Sequence, residues 1–92
     1  MHLVVCYDVV CDKRRSRLHK RLKGLLHPVQ KSVFEGPLPD RRYPDLLRIV
    51  LRTIDPQTDT VRVYHLTPAA LALTELLGTA AAIAPEPEDV IV

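Results

Sequence analysis

The chain has 92 residues, of which 47% are apolar, and a formal net charge of +2 at pH 7. This length allows one small domain and leaves no room for a second hydrophobic core. With three Tyr, one Phe and no Trp, the chain also argues against a base-stacking platform built from several aromatic rings.

The basic residues are concentrated near the N-terminus. Eight of the 13 Lys and Arg residues lie within residues 1–35, whereas the chain ends in an acidic segment. This asymmetry favours a polyanionic partner on one face. The alternative is a solvated helix surface with no partner, and composition alone does not separate the two interpretations.

The first two predicted elements are a strand and a basic helix. Residues 2–7 (HLVVCY) are apolar and rich in β-branched side chains, which predicts a buried strand with Asp8 at its end. Asp12 is predicted to cap a helix that ends near residues 24–27, before Pro28. Helical spacing gives this helix an apolar stripe and a basic flank. The stripe contains Leu18, Leu22, Leu25 and Leu26, and the flank contains Lys13, Arg14, Arg17, Lys20 and Arg21.

A strand and a second helix follow. Residues 29–36 (VQKSVFEG) predict a strand or a bulged pair of strands, and residues 36–40 predict a turn. A helix is predicted from Pro44 onward, because proline suits the first turn of a helix. The residues expected to face the core are Leu46, Leu47, Val50 and Leu51.

The last third of the chain predicts a strand, a helix and a terminal strand. Residues 60–66 (TVRVYHL) alternate as a strand after a turn at 55–59. Thr67 is predicted to cap a helix that stops at Gly78. A proline-containing linker then leads to DVIV, which has the composition of a short strand.

This order of elements predicts an α+β fold of the ferredoxin-like βαββαβ type, with helices on one face of an antiparallel sheet. The opposite face and the terminal strand would lack partners in a single copy, and a symmetric homodimer would supply both. We therefore predict one domain over residues 1–92. Within it, residues 79–92 form a linker and an edge strand that pack on the partner subunit.

Several classes of protein and site do not fit the sequence. The N-terminus leads directly into a strand that carries Asp8, unlike a signal peptide, and the alanine-rich residues 69–84 are too short and too interrupted to span a bilayer. We therefore expect a cytoplasmic protein without membrane contact. Cys6 and Cys11 form no metal or disulfide motif. The four His residues lack paired spacing, and we expect them at the surface or at caps.

Asp8 is the main candidate for chemistry. A carboxylate at the end of a buried strand needs a cation, a set of hydrogen bonds or water, because burying it unpaired is costly. It could form a salt bridge with an arginine of the first helix, or simply lie in solvent. It could also bind a divalent cation such as Mg²⁺ (or Mn²⁺), especially if a dimer brings two copies together.

The arginines that follow are candidates for nucleic-acid binding. Arg14, Arg15 and Arg17 lie in the first turns of the helix, where its dipole attracts anions, and Arg21 extends their flank. Ser32 could hold a phosphate or a water, although a strand serine usually bonds to backbone. Phe34 is expected in the core.

Three stretches of the sequence together resemble one family. They are Tyr7-Asp8-Val9, then Asp12-Lys13-Arg14-Arg15 with Arg17-Leu18, and Val29-Gln30 followed by Ser32-Val33-Phe34-Glu35-Gly36. This combination closely resembles the CRISPR-associated Cas-two (Cas2) family. DTVRVYHL (59–66) and the terminal DVIV are similar to later strands of that family, so the resemblance covers nearly the whole chain.

The resemblance implies a ferredoxin-like homodimer that helps to capture new spacers in prokaryotic antiviral defence. Such a dimer bridges two dimers of the Cas-one (Cas1) integrase and binds the DNA to be inserted. The resemblance also implies a magnesium-dependent endonuclease acting on single-stranded RNA or double-stranded DNA. Asp8 would then be the catalytic, metal-binding residue, surrounded by Arg14, Arg15 and Arg17, with Tyr7, Ser32 and Phe34 in supporting positions.

Three functions remain open at this point. The first is a metal-dependent phosphodiesterase, and the second is a purely architectural adaptor that holds DNA for the integrase. The third is a toxin-like ribonuclease, since the fold and the aspartate at the strand end resemble some of those proteins. Whether the chain is an enzyme therefore stays undecided.

Overall fold

The structure is a computed structural model, which describes residues 1–79. Within this part of the chain, strands and helices alternate in the order βαββαβα. The elements are β1 (His2–Asp8), α1 (Asp12–Leu22), β2 (His27–Gln30), β3 (Val33–Pro37), α2 (Tyr43–Thr53), β4 (Thr60–Leu66) and α3 (Pro68–Ala72). A short 3-10 turn, Asp40–Arg42, leads into α2.

The four strands form one antiparallel sheet in the order β2-β3-β1-β4. The predicted α+β, ferredoxin-like arrangement is confirmed. The segment predicted as a strand or bulged pair forms two strands, and the register shifts between Pro28 and Gln30. The proline is tolerated because β2 is an edge strand, where a missing backbone donor costs little.

The central strand β1 has two different faces. Leu3, Val5 and Tyr7 lie in the core, where they belong to one buried cluster with residues of α1 and α2. The alternate residues lie on the opposite side of the sheet, because successive side chains of a strand point to opposite faces. We call this side the outer face. It carries Val4, Cys6 and Asp8 from β1, Val33 and Glu35 from β3, and Thr60, Arg62 and Tyr64 from β4.

The first helix differs from its prediction at both ends. Cys11, and not Asp12, is the N-cap, and Asp12 lies in the first turn of the helix. The helix stops at Leu22, and a turn through Gly24 follows, in which the N–H of Leu26 still reaches the carbonyl of Leu22 at 2.9 Å. Leu26 is therefore buried from the turn and not from the helix.

The second helix buries a narrower face than predicted. Leu46, Val50 and Thr53 are its buried residues. Leu47 is 36% exposed and Leu51 is 69% exposed, so their assignment to the core was wrong. Each lies one residue, about 100°, around the helix from a buried position. A helix on a small sheet buries only the stripe directly beneath it.

The third helix is shorter than predicted. The hydroxyl of Thr67 accepts a hydrogen bond from the N–H of Ala70 at 3.1 Å, which confirms the cap. The helix ends at Ala72 and does not reach Gly78. The Thr74 hydroxyl donates to the Ala70 carbonyl at 3.1 Å and competes with continued helical bonding. The predicted strand DVIV, and nearly all of the predicted linker before it, lie outside the described residues.

The expectation that histidines lie at the surface fails at His2. Its ring is 2% exposed, and its Nε2 lies 3.0 Å from Oε2 of Glu35. A residue that begins a central strand is flanked by neighbours on both sides, and here by Pro37 and Leu66. Within residues 1–79, no helix has the length and apolarity needed to cross a membrane.

We predict that Leu46→Ala lowers the free energy of unfolding by about 2–5 kcal/mol, because it removes a fully buried leucine and leaves a cavity. Leu51→Ala is the matched control on the same helix, and we expect it to change stability by less than about 0.5 kcal/mol. Urea denaturation measures both. Equal losses in the two variants would contradict the assigned face of α2.

Candidate functional site

Asp8 ends β1 on the outer face, opposite Thr60 of β4, and its side chain is exposed. Among residues 1–79, no side chain forms an ion pair or a hydrogen bond with its carboxylate. The salt bridge to an arginine of α1 that the sequence left open therefore does not form within this part of the chain. Within residues 1–79, Asp8 is therefore an unpaired carboxylate at the end of a central strand.

Arg14 is occupied by a different carboxylate. Its Nε lies 2.9 Å from Oδ2 of Asp59, and its Nη2 lies 3.1 Å from Oδ1 of the same residue. This is the two-pronged geometry in which arginine binds carboxylate most strongly. The hydrogen bond from Arg14 holds the pKa of Asp59 well below its usual range, and the same bond raises the pKa of Arg14.

Asp59 ties together three segments of the chain. Its buried carboxylate accepts hydrogen bonds from the backbone N–H of Val10 at 3.1 Å and of Asp55 at 2.8 Å, and from the Thr58 hydroxyl at 3.1 Å. The loop after Asp8 is thereby fixed to the turn before β4 and, through Arg14, to the start of α1. Sequence reasoning missed this residue because DPQTD was interpreted only as a turn.

The arginines predicted to bind nucleic acid along α1 make different contacts. Arg21 donates to the Thr53 hydroxyl at 2.7 Å, so like Arg14 it joins α1 to the neighbouring segments. Arg15 pairs with Asp12 at the exposed start of the helix. Arg17 is exposed, and no hydrogen bond or ion pair engages it within residues 1–79. It is the member of the predicted set best placed to meet a polyanion.

Two of the three supporting residues, Tyr7 and Phe34, lie in the core, and the backbone of the third, Ser32, bonds to that of Tyr7. Tyr7 and Phe34 are stacked with ring centroids 6.2 Å apart on the helix-covered face of the sheet. The Ser32 carbonyl accepts a hydrogen bond from the backbone N–H of Tyr7 at 3.1 Å. Strand alternation therefore places the Tyr7 and Phe34 rings on the face opposite the Asp8 carboxylate.

The site fits a divalent cation only in part. An exposed, unpaired carboxylate is the hard oxygen donor that Mg²⁺ and Mn²⁺ prefer. Among the described residues, however, no group of three His, Cys, Asp or Glu residues is placed to hold a metal ion. Residues 1–79 of one chain supply Asp8 alone at this position, and a second copy would add another carboxylate.

Comparison with known families and proteins gives a consistent result. Residues 1–72 match the family model described as CRISPR associated protein Cas2. A protein of Chloroflexus aurantiacus named CRISPR-associated endoribonuclease Cas2 3 is 41% identical over 78 residues, which cover 85% of this chain and 84% of that protein.

Solved structures are similar as well. A crystal structure of Streptococcus pyogenes Cas2 at pH 6.5 superposes with a TM-score of 0.73 at 30% identity, over 85% of this chain and 100% of that one. A chain of a partial Cas6-RT-Cas1–Cas2 complex superposes with a TM-score of 0.63 at 27% identity, over 83% of each chain.

We predict that Asp59→Asn destabilises the protein in a pH-dependent way. Because the folded-state pKa of Asp59 is lowered, its stabilisation is fully present above its unfolded pKa of about 3.9 and is lost as pH falls below that value. The Tm at pH 7 should fall by on the order of 10 °C. The difference from wild type should narrow toward pH 3.

Thermal melts followed by circular dichroism between pH 3 and 7 measure this effect. Asp12→Asn is the control, because its carboxylate is 94% exposed and its pair with Arg15 contributes little. A Tm difference for Asp59→Asn that is the same at pH 3 and pH 7 would rule out the ionised carboxylate as its cause.

Proposed function

The chain belongs to the CRISPR-associated protein Cas2 family, and from that premise we propose that it works as a homodimer in spacer acquisition. In this proposal the dimer binds DNA together with the Cas1 integrase. It also hydrolyses phosphodiester bonds with a divalent cation, Mg²⁺ or Mn²⁺, held by Asp8. The names of its relatives support the nuclease part, since the Chloroflexus protein is called an endoribonuclease. A cytoplasmic location remains a prediction.

The observation that carries the proposal is the state of Asp8. The fold neutralises the buried carboxylate of Asp59 with Arg14 and several hydrogen bonds. It leaves Asp8, only two residues before Val10, exposed and unpaired among residues 1–79. A carboxylate in that state can bind a cation without first losing a partner inside the protein.

The outer face supports the proposed dimer. It presents apolar or partly apolar side chains, including Val4, Cys6, Val33 and Tyr64, on the side of the sheet away from α1 and α2. Tyr64 is 46% exposed. A symmetric pair that packs these faces together would bury them, and the twofold axis would bring two Asp8 residues to one seam. Such a pair supplies a second carboxylate ligand, which residues 1–79 of one chain do not place there.

The chemistry then follows from the arrangement of the residues. A bound divalent cation supplies a Lewis acid for a phosphoryl oxygen and lowers the pKa of a water molecule. The two Asp8 carboxylates would hold the cation at the seam, while Arg17 contacts the phosphate backbone outside it. The hydrogen bonds of Asp59 to Val10 and Arg14 fix the loop that follows Asp8 and so keep the Asp8 carboxylate in place.

Partnership with Cas1 rests on the similarity to a chain of the partial Cas6-RT-Cas1–Cas2 complex. A second candidate function, an architectural adaptor without nuclease activity, is favoured by one observation. Within the described residues, each chain offers a single carboxylate at the end of β1, which is few ligands for a metal site, whereas holding DNA requires only charge and a rigid surface.

We predict that Asp8→Asn abolishes metal-dependent cleavage, because an amide is a much poorer ligand for Mg²⁺ than a carboxylate. Cleavage of a labelled single-stranded RNA and a labelled duplex DNA, with Mg²⁺ or Mn²⁺, measures this. Mn²⁺ should also raise the Tm of the wild type by several degrees and leave that of Asp8→Asn unchanged.

Asp12→Asn is the control, as an exposed carboxylate near the same loop that should keep full activity. Cleavage that persists in Asp8→Asn would contradict a catalytic role for Asp8. A wild-type protein that binds DNA but cleaves neither substrate would favour the architectural adaptor.

We predict different consequences for two neighbouring arginines. Arg17→Ala should lower the slope of log affinity for duplex DNA against log salt concentration by about 1 and leave the Tm unchanged, because Arg17 is exposed and engages no partner within residues 1–79. Arg14→Ala should lower the Tm, since it leaves the buried Asp59 carboxylate unpaired. Fluorescence anisotropy in a salt series and thermal melts measure the two effects. An unchanged slope in Arg17→Ala would count against the exposed side of α1 as the DNA-binding surface.

A further inference from the structure

A second candidate binding site lies on the helix-covered side of the sheet, at the end of β1. A depression of about 340 Å³ opens there, lined by Tyr7, Arg15, Ser16, His19 and Lys31. Its lining residues come from β1, from one side of α1 and from the turn between β2 and β3. It is separate from the Asp8 carboxylate, which belongs to the outer face.

The charges around the depression favour an anion. Arg15 and Lys31 are basic side chains, and no carboxylate of residues 1–79 contributes to the lining. Arg15 does pair with Asp12, but that carboxylate is 94% exposed. An exposed pair of this kind contributes little free energy, so Arg15 can turn toward an anion in the depression at small cost. Lys31 is exposed.

The polar groups at the base of the depression are held in place. The Tyr7 hydroxyl lies 3.4 Å from Nδ1 of His19, and the His19 ring packs edge-on against Phe34 with centroids 5.0 Å apart. Burial raises the pKa of the Tyr7 phenol, while Arg15 acts in the opposite direction. The phenol therefore stays protonated at neutral pH, and the tautomer of His19 decides which of the two groups donates in their contact.

We propose that this depression binds a phosphate group of a nucleic-acid backbone. Arg15 and Lys31 supply the charge, the Ser16 hydroxyl can donate a hydrogen bond, and the Tyr7–His19 pair forms a rigid polar floor. Basic side chains and a serine hydroxyl are groups that bind phosphate oxygens in proteins.

The inference rests on the proposed function and adds a path for the nucleic acid. Tyr7 and Asp8 are consecutive residues at the end of β1, and their side chains lie on opposite faces of the sheet. A nucleic-acid strand that crosses this end of β1 can therefore place one phosphate in the depression while another approaches Asp8. The depression would act as an anchor beside the proposed cleavage site and would not itself take part in the chemistry.

The test compares two lysines by fluorescence anisotropy with labelled duplex DNA over a salt series. Lys31→Ala should lower the slope of log affinity against log salt concentration by about 1, because one phosphate contact is lost. Lys23→Ala removes the same charge from an exposed position outside the depression, and we expect less than half of that change. Lys31→Arg should restore the wild-type slope, since arginine also binds phosphate.

A second measurement uses inorganic phosphate as the probe in an NMR titration. The backbone signals of Ser16 and Lys31 should shift in the wild type and should not shift in a variant that combines Arg15→Ala with Lys31→Ala. Unchanged thermal melts of this double variant and of each single variant establish that they are folded.

The outcomes distinguish a failure of the anchoring depression from a failure of the proposed function. If the wild type binds DNA and Lys31→Ala behaves like Lys23→Ala, the anchoring depression is wrong and the proposed function stands. If the wild type binds no DNA at all, the proposed function fails, and the anchoring role fails with it.

Discussion

The structure depends above all on the alternation of side chains along β1. This strand lies between β3 and β4, so its residues are held in register on both edges. Leu3, Val5 and Tyr7 consequently pack beneath the helices, while Val4, Cys6 and Asp8 emerge on the outer face. A shift of register by one residue would bury the Asp8 carboxylate and expose the apolar cluster to water. Because the protein would lose the packing of that whole cluster, the shifted register is strongly unfavourable. The exposed position of Asp8 thus follows from the packing on the other side of the sheet.

Two aspartates near the end of β1 have opposite surroundings. Asp59 is buried, paired with Arg14, and hydrogen-bonded to the backbone of Val10 and Asp55. Asp8 forms no ion pair or hydrogen bond through its carboxylate with residues 1–79, although the basic start of α1 is close in sequence. Arg14, the arginine that could have neutralised Asp8, instead pairs with Asp59 and fixes the loop that follows Asp8. A rigid loop and a free carboxylate are what a metal site shared between two chains would require.

Much of the fold was predictable, and the errors have physical causes. The alternation of residues 60–66 predicted β4 correctly, and the resemblance to the Cas2 family agrees with the matched family model. Leu47 and Leu51 were assigned to the core because helical spacing reveals an apolar face but not how much of it the sheet can cover. The roles of Arg14 and Asp59 were not predictable, because their contact joins residues 45 positions apart in the chain. No sequence pattern indicates with which carboxylate an arginine will form an ion pair.

The proposed shared seam is the claim on which the rest of the functional account depends. Native mass spectrometry of the protein with Mn²⁺ tests it most directly, because it counts chains and metal ions in one particle. We predict a species of two chains with one Mn²⁺ for the wild type, and a dimer without metal for Asp8→Asn. A population of single chains, or a dimer that keeps its Mn²⁺ when Asp8 is replaced, would contradict the account.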